Sequence, residues 1–275
     1  DTTVDKDKRL CVGAAISTHP EDHERAQQLV KRGVDFLVID ASDGHSFYNV
    51  ETIRWCKKNF SVPVIAGNVV TKEGFKLLAD EEADAIKIGM GIGSGGTTQE
   101  IKATGRGQGT SIREIAFARD ELAVKNRYIP LIADGGVSSS AEIAIALALG
   151  ADTVMMGNFF ARFTEGNSRL VSNKKGEIFK EYWMEGTRRA FSHRRYSTNR
   201  KNFFEEGIGG YVPHLGSIYN CLPENKNRLK ASLQTAGVNS IAELHQSAVL
   251  EALSPGAREE SKAHNMFFQD ECLST

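Results

Sequence analysis

Glu82-Ala83-Asp84-Ala85-Ile86-Lys87-Ile88-Gly89 decides the fold, because the same plan stands at two other places in the chain. Arg32-Gly33-Val34-Asp35-Phe36-Leu37-Val38-Ile39-Asp40 and Leu149-Gly150-Ala151-Asp152-Thr153-Val154-Met155-Met156-Gly157 repeat it. Each has a helix end, an Ala/Val-Asp turn, a short apolar strand, and then a small or acidic residue. Amphipathic stretches lie between the copies, at 21–31, 50–59, 72–80, 111–125 and 140–149. Further strands read at 10–16, 63–69 and 130–135. Continuous apolar strands that alternate with helices are parallel and covered on both faces. The chain is therefore α/β, either a doubly wound sheet or a (β/α)8 barrel.

The strand ends choose between these. Asp40, Asn68, the glycine loop after Ile88, Asp134-Gly135-Gly136 and Gly157-Asn158 put polar or small groups at nearly every carboxyl end. In a barrel all of these ends meet at one face, whereas in an open sheet only those beside the switch point contribute. The expectation is a (β/α)8 TIM barrel of which this chain supplies about six strands. Two strands are missing, and the polar start at 1–9 lacks Met, so residues 1–275 are expected to be the carboxyl-terminal part of a longer barrel protein. The edges at 10–16 and 153–157 would otherwise be unsatisfied.

The Glu82 copy runs into Gly89-Met90-Gly91-Ile92-Gly93-Ser94-Gly95-Gly96-Thr97-Thr98, a loop of five glycines and three hydroxyls. Such a loop lets backbone amides and carbonyls converge on an anion or a cation. Composition narrows the partners. With 275 residues, 40% hydrophobic and 25% charged, and a net charge of -1, the chain has material for a large core and no basic surface for nucleic acid. No apolar run reaches the roughly 20 residues of a membrane span. Cys11, Cys56, Cys221 and Cys272 lack CxxC pairing, which fits reduced thiols in a cytoplasmic protein.

Eight motifs in register carry a family resemblance: Val38-Ile39-Asp40-Ala41-Ser42-Asp43-Gly44, Ala66-Gly67-Asn68-Val69, the 89–98 loop, Ala133-Asp134-Gly135-Gly136, Met155-Met156-Gly157, Glu181-Tyr182-Trp183-Met184-Glu185-Gly186, Arg195-Tyr196 and Phe204-Glu205-Glu206-Gly207. From about Lys8 to His264 the chain resembles the inosine-5'-monophosphate (IMP) dehydrogenase family. The resemblance implies NAD-dependent oxidation of IMP to xanthosine monophosphate (XMP) in a homotetramer. It also implies an amino-terminal segment that completes the barrel. A regulatory pair of cystathionine-β-synthase-type modules would lie outside this chain, and a mobile flap would cover about 165–215.

The resemblance assigns roles to matching positions. Ser94, the amides around Gly135, Gly136, Gly157 and Asn158, and the Tyr182 hydroxyl would hold the phosphate, and Asp134 the ribose diol. Donors suit a phosphate, and a carboxylate suits a diol. The purine would lie near Met155 and be read by the backbone of Met184, Glu185 and Gly186. Taken by themselves, Met155 and Met156 read as core packing. Asp40, Ser42, Asn68 and Lys87 would stand on the NAD side. Arg195 and Tyr196 match the dyad that activates the hydrolytic water, and Thr98 with Glu206 an alternative proton path. Gly91, Gly93 and the residue at 96 would offer carbonyls to potassium.

Three departures accompany the match. The family's nucleophilic cysteine falls at Gly96. A thiolate there would add to purine C2, so with glycine the covalent route is closed, and the unactivated hydroxyls of Thr97 and Thr98 are weak nucleophiles. Ala41 stands in place of a usual serine. Ser261-Lys262-Ala263-His264 replaces a Gly-Gly-Ala-His tail, and Lys262 near a cation disfavours potassium. GMP reductase, a sister enzyme without the Arg-Tyr dyad, and a nucleotide-binding pseudoenzyme are the alternatives.

Overall fold

The computed structural model describes residues 3–193 and 204–263. Six parallel strands, β1 (Gly13–Ile16), β2 (Phe36–Ile39), β3 (Val64–Val69), β4 (Ala85–Ile88), β5 (Leu131–Asp134) and β6 (Thr153–Met155), form one sheet in sequence order. The crossover helices are α1 (His23–Lys31), α2 (Phe47–Asn59) and α3 (Lys72–Asp80), then α4 (Thr98–Lys102) with α5 (Gln108–Ala123), and α6 (Ser140–Ala148). The sheet curls but stays open: β1 and β6 are its edges. This is a half-barrel, the six βα units expected of a (β/α)8 fold.

The repeated aspartate explains the repeat. Asp35, Asp84 and Asp152 sit just before β2, β4 and β6, and each clasps the start of the preceding strand in both directions. Their amides donate to the carbonyls of Val12, Val64 and Leu131, at 2.9 Å each. Their carboxylates accept from the amides of the same three residues, at 2.7, 2.6 and 2.8 Å. Val64 and Leu131 follow Pro63 and Pro130, whose carbonyls in turn accept from Leu37 and Ile86. Proline has no N–H to give, so the aspartate satisfies the first amide after it.

The core lies between the sheet and its helices. Leu37, Ile39, Ile53, Val64, Phe75, Leu78, Ile86, Ile88, Ile112 and Leu131 are all buried there. Each such side chain contributes about 1.5–3 kcal/mol of transfer free energy. Helix α3 spans the expected 72–80, with the Thr71 side chain accepting from the Gly74 amide at its start. Helix α2 begins earlier than expected, because Ser46 caps it and its first two residues, Phe47 and Tyr48, are exposed aromatics without amphipathic spacing. Strand β1 is shorter than 10–16: Leu10 and Val12 are exposed, and Leu10 instead makes an isolated bridge with Val4.

One expectation is corrected. Met155 is not core packing: it is 47% exposed, while its neighbours Val154 and Met156 pack against the core. Alternation along an edge strand turns Met155 to the face with nothing opposite it among the described residues. The described residues of 165–215 hold regular structure. Helix α7 (Gly157–Ala161) leads into an antiparallel sheet of β7 (Leu170–Ser172), β8 (Ile178–Trp183) and β9 (Gly209–Pro213), with α8 (Arg188–His193) between β8 and β9. Helices α9 (Ile218–Thr235), α10 (Ile241–Ser247) and α11 (Pro255–Glu260) follow, with α9 and α10 packed on α6. No helix among the described residues is long and apolar enough to cross a membrane.

Candidate active site at the carboxyl ends of the strands

The ends of β1 to β5 gather around a cleft of about 510 Å³. Of the residues singled out in the sequence, Asp40, Ser42, Asn68, Gly91, Gly93, Gly96, Thr98, Asp134, Gly135, Met184, Glu185, Gly186 and Glu206 line it. The sequence reading missed Ser17-Thr18-His19, which follow β1 directly and line the same cleft. Their signal was a polar triplet at a strand end, the feature that identified the others.

Asp134 is held from below. Lys87 is buried on β4 and donates to Asp134 Oδ2 at 2.5 Å. Asn68 Nδ2 donates to the same oxygen at 3.0 Å and to the Gly89 carbonyl at 2.8 Å. Both bonds fall on Oδ2, so among the described residues Oδ1 is left for a ligand. Lys87, expected on the cofactor side, is not among the cleft-lining residues: its ammonium supports the carboxylate. Asn68 Oδ1 is buried and without a partner among the described residues, an acceptor beside the cleft.

The glycine loop is fixed at both ends. At Gly89 an added Cβ would lie 2.0 Å from the Asp134 carbonyl, and φ is +136°, so only glycine lets the two strand ends approach this closely. Gln108 staples the same ends, with Nε2 donating to the carbonyls of Ile88 and Asp134 at 3.0 and 3.3 Å. Further along, Gly96 forms an antiparallel bridge with Gly207, and the Ile208 amide donates to Gly95 O at 2.8 Å. The segment entering β9 thus clamps the loop from above. Glu206 faces the loop there, accepting from Lys102 Nζ at 2.5 Å and from Thr98 Oγ1 at 3.4 Å.

The space beside Gly96 is open. A Cβ on this residue would meet Gly93 O at 3.5 Å and Gly91 backbone atoms at 3.8 and 3.9 Å, and its φ lies outside the left-handed region. A side chain fits.

Beside the cleft, Ser94, Gly157 and Tyr182 form a second cluster. The Tyr182 hydroxyl lies 2.9 Å from where a Cβ on Gly157 would stand. Burial pushes the Tyr182 phenol above its ordinary range, and the nearby Ser94 side chain opposes this. Gly135 and Gly136 tuck against Ile92 of the loop. The Asn158 side chain is held by Arg162, whose Nε donates to its Oδ1 at 3.0 Å. Arg195, Tyr196 and His264 lie outside the described residues.

Six βα units whose polar ends share one face define a protein of the (β/α)8-barrel class. The chain belongs to the family described as IMP dehydrogenase / GMP reductase domain, whose model matches residues 1–264. It is 39% identical over 272 residues to inosine-5'-monophosphate dehydrogenase of Tritrichomonas foetus, covering 97% of this chain and 54% of that protein. It is 38% identical over 264 residues to the Aquifex aeolicus protein of the same name, covering 94% of this chain and 53% of that one. Among solved structures it resembles a cysteine-to-alanine variant of GMP reductase from Trypanosoma brucei in complex with guanosine 5'-monophosphate. The TM-score is 0.89 at 29% identity, over 96% of this chain and 54% of the other. The chain spans about half the length of the curated relatives it matches.

Proposed function

We propose that this chain carries the carboxyl-terminal part of an IMP dehydrogenase barrel that binds IMP or XMP and, with Gly96 as written, does not oxidise it. One observation carries the reading: the position of the family's nucleophile lies in the cleft with room for a side chain and none present. The nucleotide phosphate would rest on Ser94, Gly136, Gly157 and Tyr182, the ribose on Asp134 Oδ1, and the base on the backbone of 184–186. The dehydrogenases at 36–39% identity and the Arg195-Tyr196 pair favour the dehydrogenase over the reductase.

The residues present fit NAD, because the unpartnered Asn68 Oδ1 can accept from a carboxamide and Asp40 and Ser42 line the same cleft. When bound, NAD supplies the acceptor for the hydride and its electron pair that leave purine C2. A thiolate at position 96 would first bond to C2. Water, deprotonated by the Arg195-Tyr196 pair or through Thr98 and Glu206, would then displace the sulfur to give XMP. Gly91, Gly93 and Gly96 line the same cleft, where the family resemblance assigns their carbonyls to potassium, while the Lys262 substitution argues against the cation. An amino-terminal segment completing the barrel and a cytoplasmic homotetramer belong to the same proposal, on the strength of the family resemblance.

The test compares the full-length protein with its Gly96→Cys variant by NADH absorbance with IMP and NAD. The parent is expected at background and the variant to turn over. A parent as fast as the variant would overturn the covalent reading. A variant that binds IMP yet stays inactive would favour the nucleotide-binding pseudoenzyme.

A further inference from the structure

Lys180 is a lysine where none is expected, 1% exposed on strand β8. An ammonium in such a place costs heavily unless all three of its donors are satisfied. Here three carbonyls of one turn receive them: Phe163 at 2.9 Å, Gly166 at 2.5 Å and Thr164 at 3.5 Å. That turn follows α7, whose first residue is Gly157. The same turn is tied to the rest of the fold. Thr164 N donates to Gly216 O, and the Glu165 carboxylate accepts from the Ile218 amide and the Ser217 hydroxyl at the start of α9.

Strand β8 and α7 lie side by side in opposite directions, with a contact at each end. Lys180 grips the turn after α7, and Tyr182 covers its first residue. Alternation puts Lys180, Tyr182 and Met184 on one side of the chain. Met184 continues the row, with its Cγ 2.7 Å from a Cβ position on Gly95.

We propose that Lys180 is a positioning residue for phosphate recognition: its ammonium, clasped by the 163–166 turn, docks β8 on α7 and so sets the Tyr182 hydroxyl over Gly157. This rests on the nucleotide site proposed above. Removing the charge takes the ammonium from the Thr164 and Gly166 carbonyls and leaves Phe163 O with the Gly166 amide, so β8 is no longer gripped at this turn and Tyr182 loses its register against Gly157 while the purine and ribose contacts on the barrel persist.

The experiment titrates IMP and inosine calorimetrically into the full-length parent, Lys180→Met, Tyr182→Phe and the double variant. Lys180→Met keeps the stem and removes the charge. It is expected to weaken IMP about tenfold, the scale of one hydrogen bond to a charged group, and to leave inosine unchanged. In the Tyr182→Phe background it should cost nothing further. Equal IMP affinity in parent and Lys180→Met overturns the proposal, and so does equal weakening of IMP and inosine, which would mark a merely structural lysine. If Lys180→Met fails to fold, Lys180→Arg replaces it. Arginine keeps the charge but not the convergent ammonium, so it should show a smaller loss confined to IMP. A parent that binds neither ligand overturns the nucleotide site and the phosphate role with it. Hydrogen exchange then decides the docking: protection lost only at 157–166 and 178–184 in Lys180→Met supports it, and unchanged or uniformly lost protection overturns it.

Discussion

Asp134 shows what a single carboxylate needs to serve a site. One oxygen is fixed by Lys87 and Asn68, and the other is left toward the cleft, so its orientation is set before any ligand arrives. Preorganisation of this kind is what makes a charge-assisted bond to a diol effective. Asp134→Ala should weaken IMP binding by about 1–3 kcal/mol, read by calorimetry, with the protein still folded. No change in affinity would remove Asp134 from the ribose. The aspartate was legible in the sequence because Asp-Gly-Gly ends an apolar strand. Lys87 was not. On its strand it reads as a residue facing a ligand, and only the β4–β5 pairing, with Lys87 beside Ile132, brings it under a carboxylate 47 positions away.

At the scale of elements, the aspartate clasp between neighbouring strands is the feature to test. Asp84 accepts from the amide of Val64, a fully buried residue, and also pairs with Lys57 at 2.8 Å in a partly exposed position. The surface pair contributes little, whereas an unpartnered buried amide costs about 1–3 kcal/mol. Asp84→Ala is therefore expected to lower unfolding stability by about that amount, while Asp84→Asn, which keeps an acceptor and loses the charge, should retain most of it. Denaturant unfolding of the two variants decides: if both lose equally, the ion pair carries the effect. The parallel strands were legible because each is a buried apolar run behind a turn signal. The β7–β9 sheet was not, because its strands mix exposed polar residues, glycines and one buried lysine, and their pairing depends on chain that comes from both sides of α8.

For the whole molecule, the core predicts behaviour in alkali. Cys56 on α2 is fully buried, and burial pushes its thiol from 9.0 up to about 12. The unfolded chain releases this proton from about pH 9, and the folded chain holds it to about pH 12. Stability is thus undiminished below pH 9 and falls as pH rises from 9 to 12. Unfolding of Cys56→Val, measured across that window, should show a shallower fall than the parent; identical slopes would mean that Cys56 ionises freely in the fold. Cys11 and Cys221 are only partly buried, so a thiol reagent at pH 8 should distinguish them from Cys56.

By itself the sequence determined the βα alternation, the parallel sheet and the strand-end residues that face the cleft. Those follow from local rules: apolar runs must be buried, turns need aspartate or glycine, and the carboxyl ends of parallel strands share one side. Only the tertiary structure decided that the glycine loop is pinned by the segment entering β9, that Lys87 supports Asp134 and does not line the cleft, and that a buried lysine ties β8 to α7. Each of these joins residues far apart in the chain, and no local preference encodes which distant backbone will supply the missing donor or acceptor. The physical reason is the same in every case: a buried polar group must find a partner, and the fold alone settles which one is near enough.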